Sequence, residues 1–130
     1  MFPSLPMLLA ATIALGLIHI LLAGALATRV RGPAWNIGNR EGDAAPLGPV
    51  AGRAERASRN FLETFPFFAA ALVCAVAMHR EGHLATVGAH LYFWARVAYL
   101  PVYLIGIPGL RSLVWIAGTV GLLMVVGVLI

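Results

Sequence analysis

From Leu5 to Thr28 the chain carries no formal charge. At about 1.5 Å per residue, a helix over this run crosses a hydrocarbon core of about 30 Å. Arg29 and Arg31 follow at once, and Gly32-Pro33 stops the helix. Ala25-Leu26-Ala27 resembles a leader-cleavage site, but the apolar run has no basic residue before it, so the segment is expected to remain as a span. The rest of the chain suits the same solvent. It has 130 residues, 61% hydrophobic and 11% charged, where a soluble domain carries about 25% charged residues. A chain this short buries too little of its surface to hide so much apolar material from water.

Three more segments follow. The second has an uncharged run only from Thr64 to Met78, too short to span alone. Its helix is therefore expected to start near Arg53 and to carry Arg56, Arg59, Asn60 and Glu63 towards or into the membrane. The third, between Glu81 and Arg111, is interrupted by Arg96. The fourth, from about Leu113, is apolar apart from Thr119, and its Gly118, Gly121 and Gly127 suit close helix packing. The expected architecture is one all-α membrane domain over residues 1–130, a four-transmembrane-helix bundle. Its helices fall at about 5–28, 53–79, 84–106 and 110–130, with a Gly/Pro-rich loop at about 29–52.

The net charge is +4, and arginine supplies all of the Lys+Arg count of 9. Such basicity in a soluble domain suggests nucleic acid. Here the arginines gather near helix ends, so no nucleic-acid partner is expected. Arg29, Arg31, Arg40, Arg53 and Arg111 share one side, while Arg80 on the other is offset by Glu81. The positive-inside rule then places the long loop in the cytoplasm and both termini on the non-cytoplasmic side. Cys74, the single cysteine, is expected to be a buried thiol without a disulfide.

Ionisable residues inside a membrane are costly and mark function. Arg56, Asn60 and Glu63 have i, i+4, i+7 spacing, and Arg96, Tyr99 and Tyr103 have i, i+3, i+7 spacing, so each set shares a helix face. Glu63 and Arg96 each lie about ten residues, or about 15 Å, from the arginine-rich end, and are expected to pair. An ion pair that only fixes helix register accounts for those two. It does not account for Arg56, Arg59, Asn60, Tyr99, Tyr103 and Arg111 as well. Several donors around one carboxylate describe a pocket for a small zwitterionic or polyanionic molecule. Elsewhere, His19 is expected to be a packed, hydrogen-bonded histidine. His79, His83 and His90 lack the companions of a metal site, so no metal is expected. Tyr92, Phe93 and Trp94 are expected to face lipid or to pack.

Arg56-x-x-x-Asn60-x-x-Glu63-x-x-Pro66, preceded by Glu55, resembles the second-helix signature of the MAPEG family, the membrane-associated proteins of eicosanoid and glutathione metabolism. Ala95-Arg96-Val97-Ala98-Tyr99-x-x-x-Tyr103 resembles its third-helix signature, and Arg111-Ser112 falls where the family has an arginine opening helix four. The resemblance spans essentially the whole chain. It implies a homotrimer that binds glutathione, as cosubstrate, between subunits near the cytoplasmic face. It implies that Arg56, Asn60 and Glu63 hold glutathione, with Arg96, Tyr99 and Tyr103 at the same site and Arg59 matched in the prostaglandin-synthase branch. Arg111 matches the arginine that stabilises the glutathione thiolate, with Ser112 and Tyr103 as further hydrogen-bond donors to sulfur. Trp115 stands where a tyrosine often occurs, and Thr64 where some members have tyrosine. The implied function is a transferase or peroxidase acting on lipophilic electrophiles or hydroperoxides. The alternative is a non-catalytic lipid-binding or structural membrane protein of the same fold.

Overall fold

A computed structural model describes residues 3–130; the first two residues of the expected domain lie outside the described residues. The chain folds into α1 (Leu5–Arg31), α2 (Pro33–Ile37), α3 (Gly48–Ala77), α4 (His83–Ile105) and α5 (Pro108–Gly127). No strand occurs among the described residues. Local chemistry sets the ends. Ser4 caps α1 by accepting from the Met7 N–H, and Gly32, at φ 87, turns the chain away after Arg31. α3 starts at Gly48, upstream of the expected start near Arg53, because Pro49 in its first turn is already set for the helix.

α2 lies inside what was expected to be an irregular loop. Arg31 organises the stretch: its guanidinium sits 5.8 Å from the Trp35 ring centroid, and its Nε donates to the Ala45 carbonyl at 3.0 Å. Among the described residues, three helices can cross a membrane by length and composition: α1, α3 and α5. α4 is long enough at 23 residues, but Arg96, two histidines and three tyrosines dilute its apolar content.

The helices associate mainly as two pairs, α1 with α3 and α4 with α5, joined chiefly through α3 and α4. Glycines allow the closest approaches. A Cβ on Gly121 would lie 2.6 Å from the Gly88 carbonyl oxygen, and one on Gly16 would lie 2.6 Å from the Phe61 ring. Gly118 packs beside Ala95 and Arg96, whereas Gly127 has nothing near it. The core between the pairs holds Leu8, Phe68, Leu72, Tyr92 and Val125, with Phe68 stacked on Tyr92 at 4.0 Å between centroids. Trp94, two residues on from Tyr92, faces outward.

α3 and α4 run antiparallel in a register that polar contacts make explicit. Arg53 Nη1 donates to the Leu104 carbonyl at 3.2 Å, Arg96 Nη1 donates to Asn60 Oδ1 at 2.8 Å, and the Thr64 and Tyr92 hydroxyls are 2.9 Å apart. Each advance along α3 is matched by a retreat along α4 that is equal to within one residue. Cys74 is exposed, contrary to expectation, because α3 turns Ala71, Leu72 and Ala75 inward and leaves Val73 and Cys74 outside.

Candidate functional site

The α3–α4 register decides which sequence-predicted residues meet. Depth counted from Arg53 and from the end of the third segment near residue 106 pairs Glu63 with Arg96. The observed register pairs Arg96 with Asn60, one turn nearer the arginine-rich end. The count misses because the two ends are not level: Arg53 reaches the Leu104 carbonyl, short of the Gly106 end of α4, so Arg96 lies shallower than Glu63. Glu63 is exposed and makes no ion pair within the subunit; the one ion pair among the described residues joins Arg59 to Glu55 at 3.9 Å on the surface of α3.

Five of the predicted residues do converge. Asn60 from α3, Tyr99 and Tyr103 from α4, and Arg111 and Ser112 from α5 line a cavity of about 490 Å³, together with Trp115 and Ile116. α4 sets the tyrosines one turn apart on its inner face, where their rings meet edge to face at 5.4 Å. The short connection Gly106–Ile107 brings α5 back so that the Arg111 guanidinium sits 5.0 Å from the Tyr103 ring centroid. The Ser112 hydroxyl donates to the Pro108 carbonyl at 3.2 Å, so its proton is already engaged within α5.

Arg56 lies beside this group. With Arg53, Tyr103 and Arg111 it lines a smaller adjoining cavity of about 210 Å³ against the Gly106–Pro108 turn. Three arginines therefore face one space, which suits a ligand with more than one negative charge. Arg53 counted only towards topology in the sequence reading. Its guanidinium caps the last carbonyls of α4, Leu104 and Ile105, and lies against Gly106, whose φ of 85 and missing Cβ make room for it. A basic residue at a helix C-terminus also complements the helix dipole. The signal that could have found it is the glycine closing α4, a position that needs a partner for the last carbonyls.

The other predicted residues sit apart. Arg59 and Glu63 open on a separate cleft with Ala23, Glu55, Ser58 and Leu62. Arg59 is turned about 60° from Arg56, away from Asn60, whereas Glu63 stays near the Arg56–Asn60 face but lies about two turns further along α3 from the Gly106–Pro108 end. Arg96 is 1% exposed and lines neither cavity. It lies between the Tyr92 and Tyr99 rings, with Cζ 5.2 and 5.4 Å from their centroids. His19 is buried against Phe61, with ring centroids 4.9 Å apart, and neither ring nitrogen makes the expected hydrogen bond. No cluster of His, Cys, Asp and Glu among the described residues could hold a metal ion.

The arrangement offers fixed positive charge, phenol hydroxyls and one amide around a cavity with an apolar wall at Trp115 and Ile116. Comparison with known proteins returns one finding: the model of the MAPEG family matches residues 8–130. Neither the curated proteins nor the solved structures gave a match.

Proposed function

The chain belongs to the MAPEG family, which makes it a membrane protein of the glutathione and eicosanoid group, and on that premise we propose that it is a glutathione-dependent transferase or peroxidase. The observation that carries this reading is the convergence of Asn60, Tyr99, Tyr103 and Arg111 on one cavity, with Arg53 and Arg56 beside it. Glutathione has two carboxylates, an ammonium, two peptide groups and a thiol. Arg53 and Arg56 suit a carboxylate, and Asn60 suits the peptide backbone. Arg111 brings a planar guanidinium with five donors. A guanidinium beside a thiol with a pKa near 8.5 favours the thiolate.

The sulfur then attacks an apolar electrophile that enters past Trp115 and Ile116. In a transferase step a carbon–sulfur bond forms and the displaced electron pair takes a proton. With a hydroperoxide, the thiolate takes one oxygen, releasing the alcohol, and a second glutathione yields the disulfide and water.

Assembly belongs to the same proposal. Arg59 and Glu63 are exposed on a helix apolar enough to cross a membrane. Hydrocarbon cannot solvate such groups. A second copy of the chain seated on that cleft covers them and completes the site, and closed association then gives the homotrimer. α4 makes the fourth crossing, with its polar residues turned to α3 and α5. The long loop faces the cytoplasm, where glutathione is supplied.

The decisive experiment is calorimetric titration of glutathione into detergent-purified protein, followed by conjugation and peroxidase assays on the same sample. Saturable binding with turnover in either assay is the expected result. Absence of binding sinks the reading, and binding without turnover leaves the non-catalytic alternative.

A further inference from the structure

Arg96 was expected among the ligand-binding residues, yet it is enclosed. It is 1% exposed, held between two tyrosine rings, and backed by Gly118, where a Cβ would sit 3.5 Å from Nε. Its Nη1 donates to Asn60 Oδ1 at 2.8 Å. Asn60, in contrast, is half-buried and lines the cavity.

A guanidinium has only donors, whereas an asparagine amide has an acceptor oxygen on one side and a donor NH2 on the other. The contact therefore permits one orientation of the amide. We propose that Arg96 is a positioning residue that holds the Asn60 oxygen inward and turns its NH2 group to the cavity, so that at this point the site accepts only a hydrogen-bond acceptor, a carboxylate or peptide carbonyl oxygen of the ligand. The ligand's identity rests on the glutathione reading above; the orientation of the amide does not.

Register alone does not require so costly a group. Helices α3 and α4 are already tied on either side of it by Arg53 to Leu104 and by Thr64 to Tyr92. A buried guanidinium in a membrane helix is expensive, and here its hydrogen bond to Asn60 removes the freedom of that amide to flip. The consequence is specificity: an ammonium or hydroxyl proton placed opposite Asn60 meets another donor, so the ammonium of a zwitterionic ligand is directed away from this residue.

The test uses the full chain in detergent, labelled with carbon-13 and nitrogen-15 asparagine. Asn36, Asn39 and Asn60 are the asparagines, and Asn60→Asp identifies the Asn60 amide signal. Arg96→Met is expected to shift that signal and to weaken glutathione at least tenfold. Arg96→Lys keeps a side chain with donors only, and is expected to stay within threefold of the parent. In an Asn60→Leu background, Arg96→Met is expected to cause no further loss, because a residue that acts only through Asn60 has nothing left to act on. Losses that add, or an Asn60 amide signal indifferent to Arg96→Met, overturn the proposal. Should Arg96→Met fail to fold, Asn60→Asp decides with Arg96 intact. It presents an oxygen where the NH2 stood and is expected to weaken glutathione at least tenfold, so retained binding refutes the orientation. A parent protein that shows the amide response but binds no glutathione upholds the positioning role and sinks the glutathione reading instead.

Discussion

Arg111 and Ser112 are neighbours in sequence and both reach the cavity, yet their chemistry separates them. The Arg111 guanidinium is half-buried over the Tyr103 ring and lines the cavity, where the proposed function has it face the thiol. Replacing it with alanine is expected to lower turnover at neutral pH at least tenfold while changing glutathione affinity less, because the thiol pKa returns towards about 8.5. Thiolate absorbance of the bound complex, read with steady-state turnover, checks this. The Ser112 proton is already committed to the Pro108 carbonyl. Ser112→Ala is therefore expected to hold turnover within about twofold, since the hydroxyl serves its own helix. A large loss in Ser112→Ala with a small one in Arg111→Ala reverses the assignment. The sequence reveals the residue types of this site because few other reasons put so many hydrogen-bonding groups on apolar helices. It does not reveal that Asn60, and not Glu63, meets Arg96. That depends on how far α4 is offset along α3, and a shift of one helical turn leaves every spacing within each helix unchanged.

The helices themselves are legible from runs of uncharged residues bounded by arginine, glycine and proline. α2 is not, because its fold depends on Arg31 reaching back over Trp35 and out to Ala45, contacts that no local pattern announces. Nor does sequence distinguish the glycines of α5. Gly121 has a neighbouring backbone within 2.6 Å of where a Cβ would stand, and Gly127 has nothing within 4 Å. Gly121→Ala is expected to force α4 and α5 apart and to cost about 1–3 kcal/mol, the usual range for an overpacked contact. Gly127→Ala is expected to change stability by less than about 0.5 kcal/mol, as for a substitution that touches nothing. Thermal unfolding of the two variants in one detergent gives the comparison, and equal midpoints would show that the glycine contact does not hold the pair.

At the scale of the molecule, the proposed orientation is open to a direct check. The single native cysteine, Cys74, is exposed and must first be replaced. Cysteine at Asp43, chosen because Gly42 has φ 85 and resists a side chain, is expected to be shielded from an impermeant thiol reagent added outside intact cells. Cysteine at Gly82, where a Cβ meets nothing within 4 Å, is expected to react. The opposite labelling pattern turns the protein over and removes the site from cytoplasmic glutathione.

The separation of Arg59 and Glu63 from the Arg111 cavity also has a genetic corollary. If one chain supplies Arg111 and its neighbour supplies the Arg59–Glu63 side, a chain damaged on one side can be rescued by a chain damaged on the other. Arg111→Ala and Glu63→Gln, each inactive alone, should regain part of the activity when both alleles are expressed in the same cell, because mixed rings contain sites assembled from the intact half of each. Two alleles damaged at the same residue, Arg111→Ala with Arg111→Met, should show no such rescue.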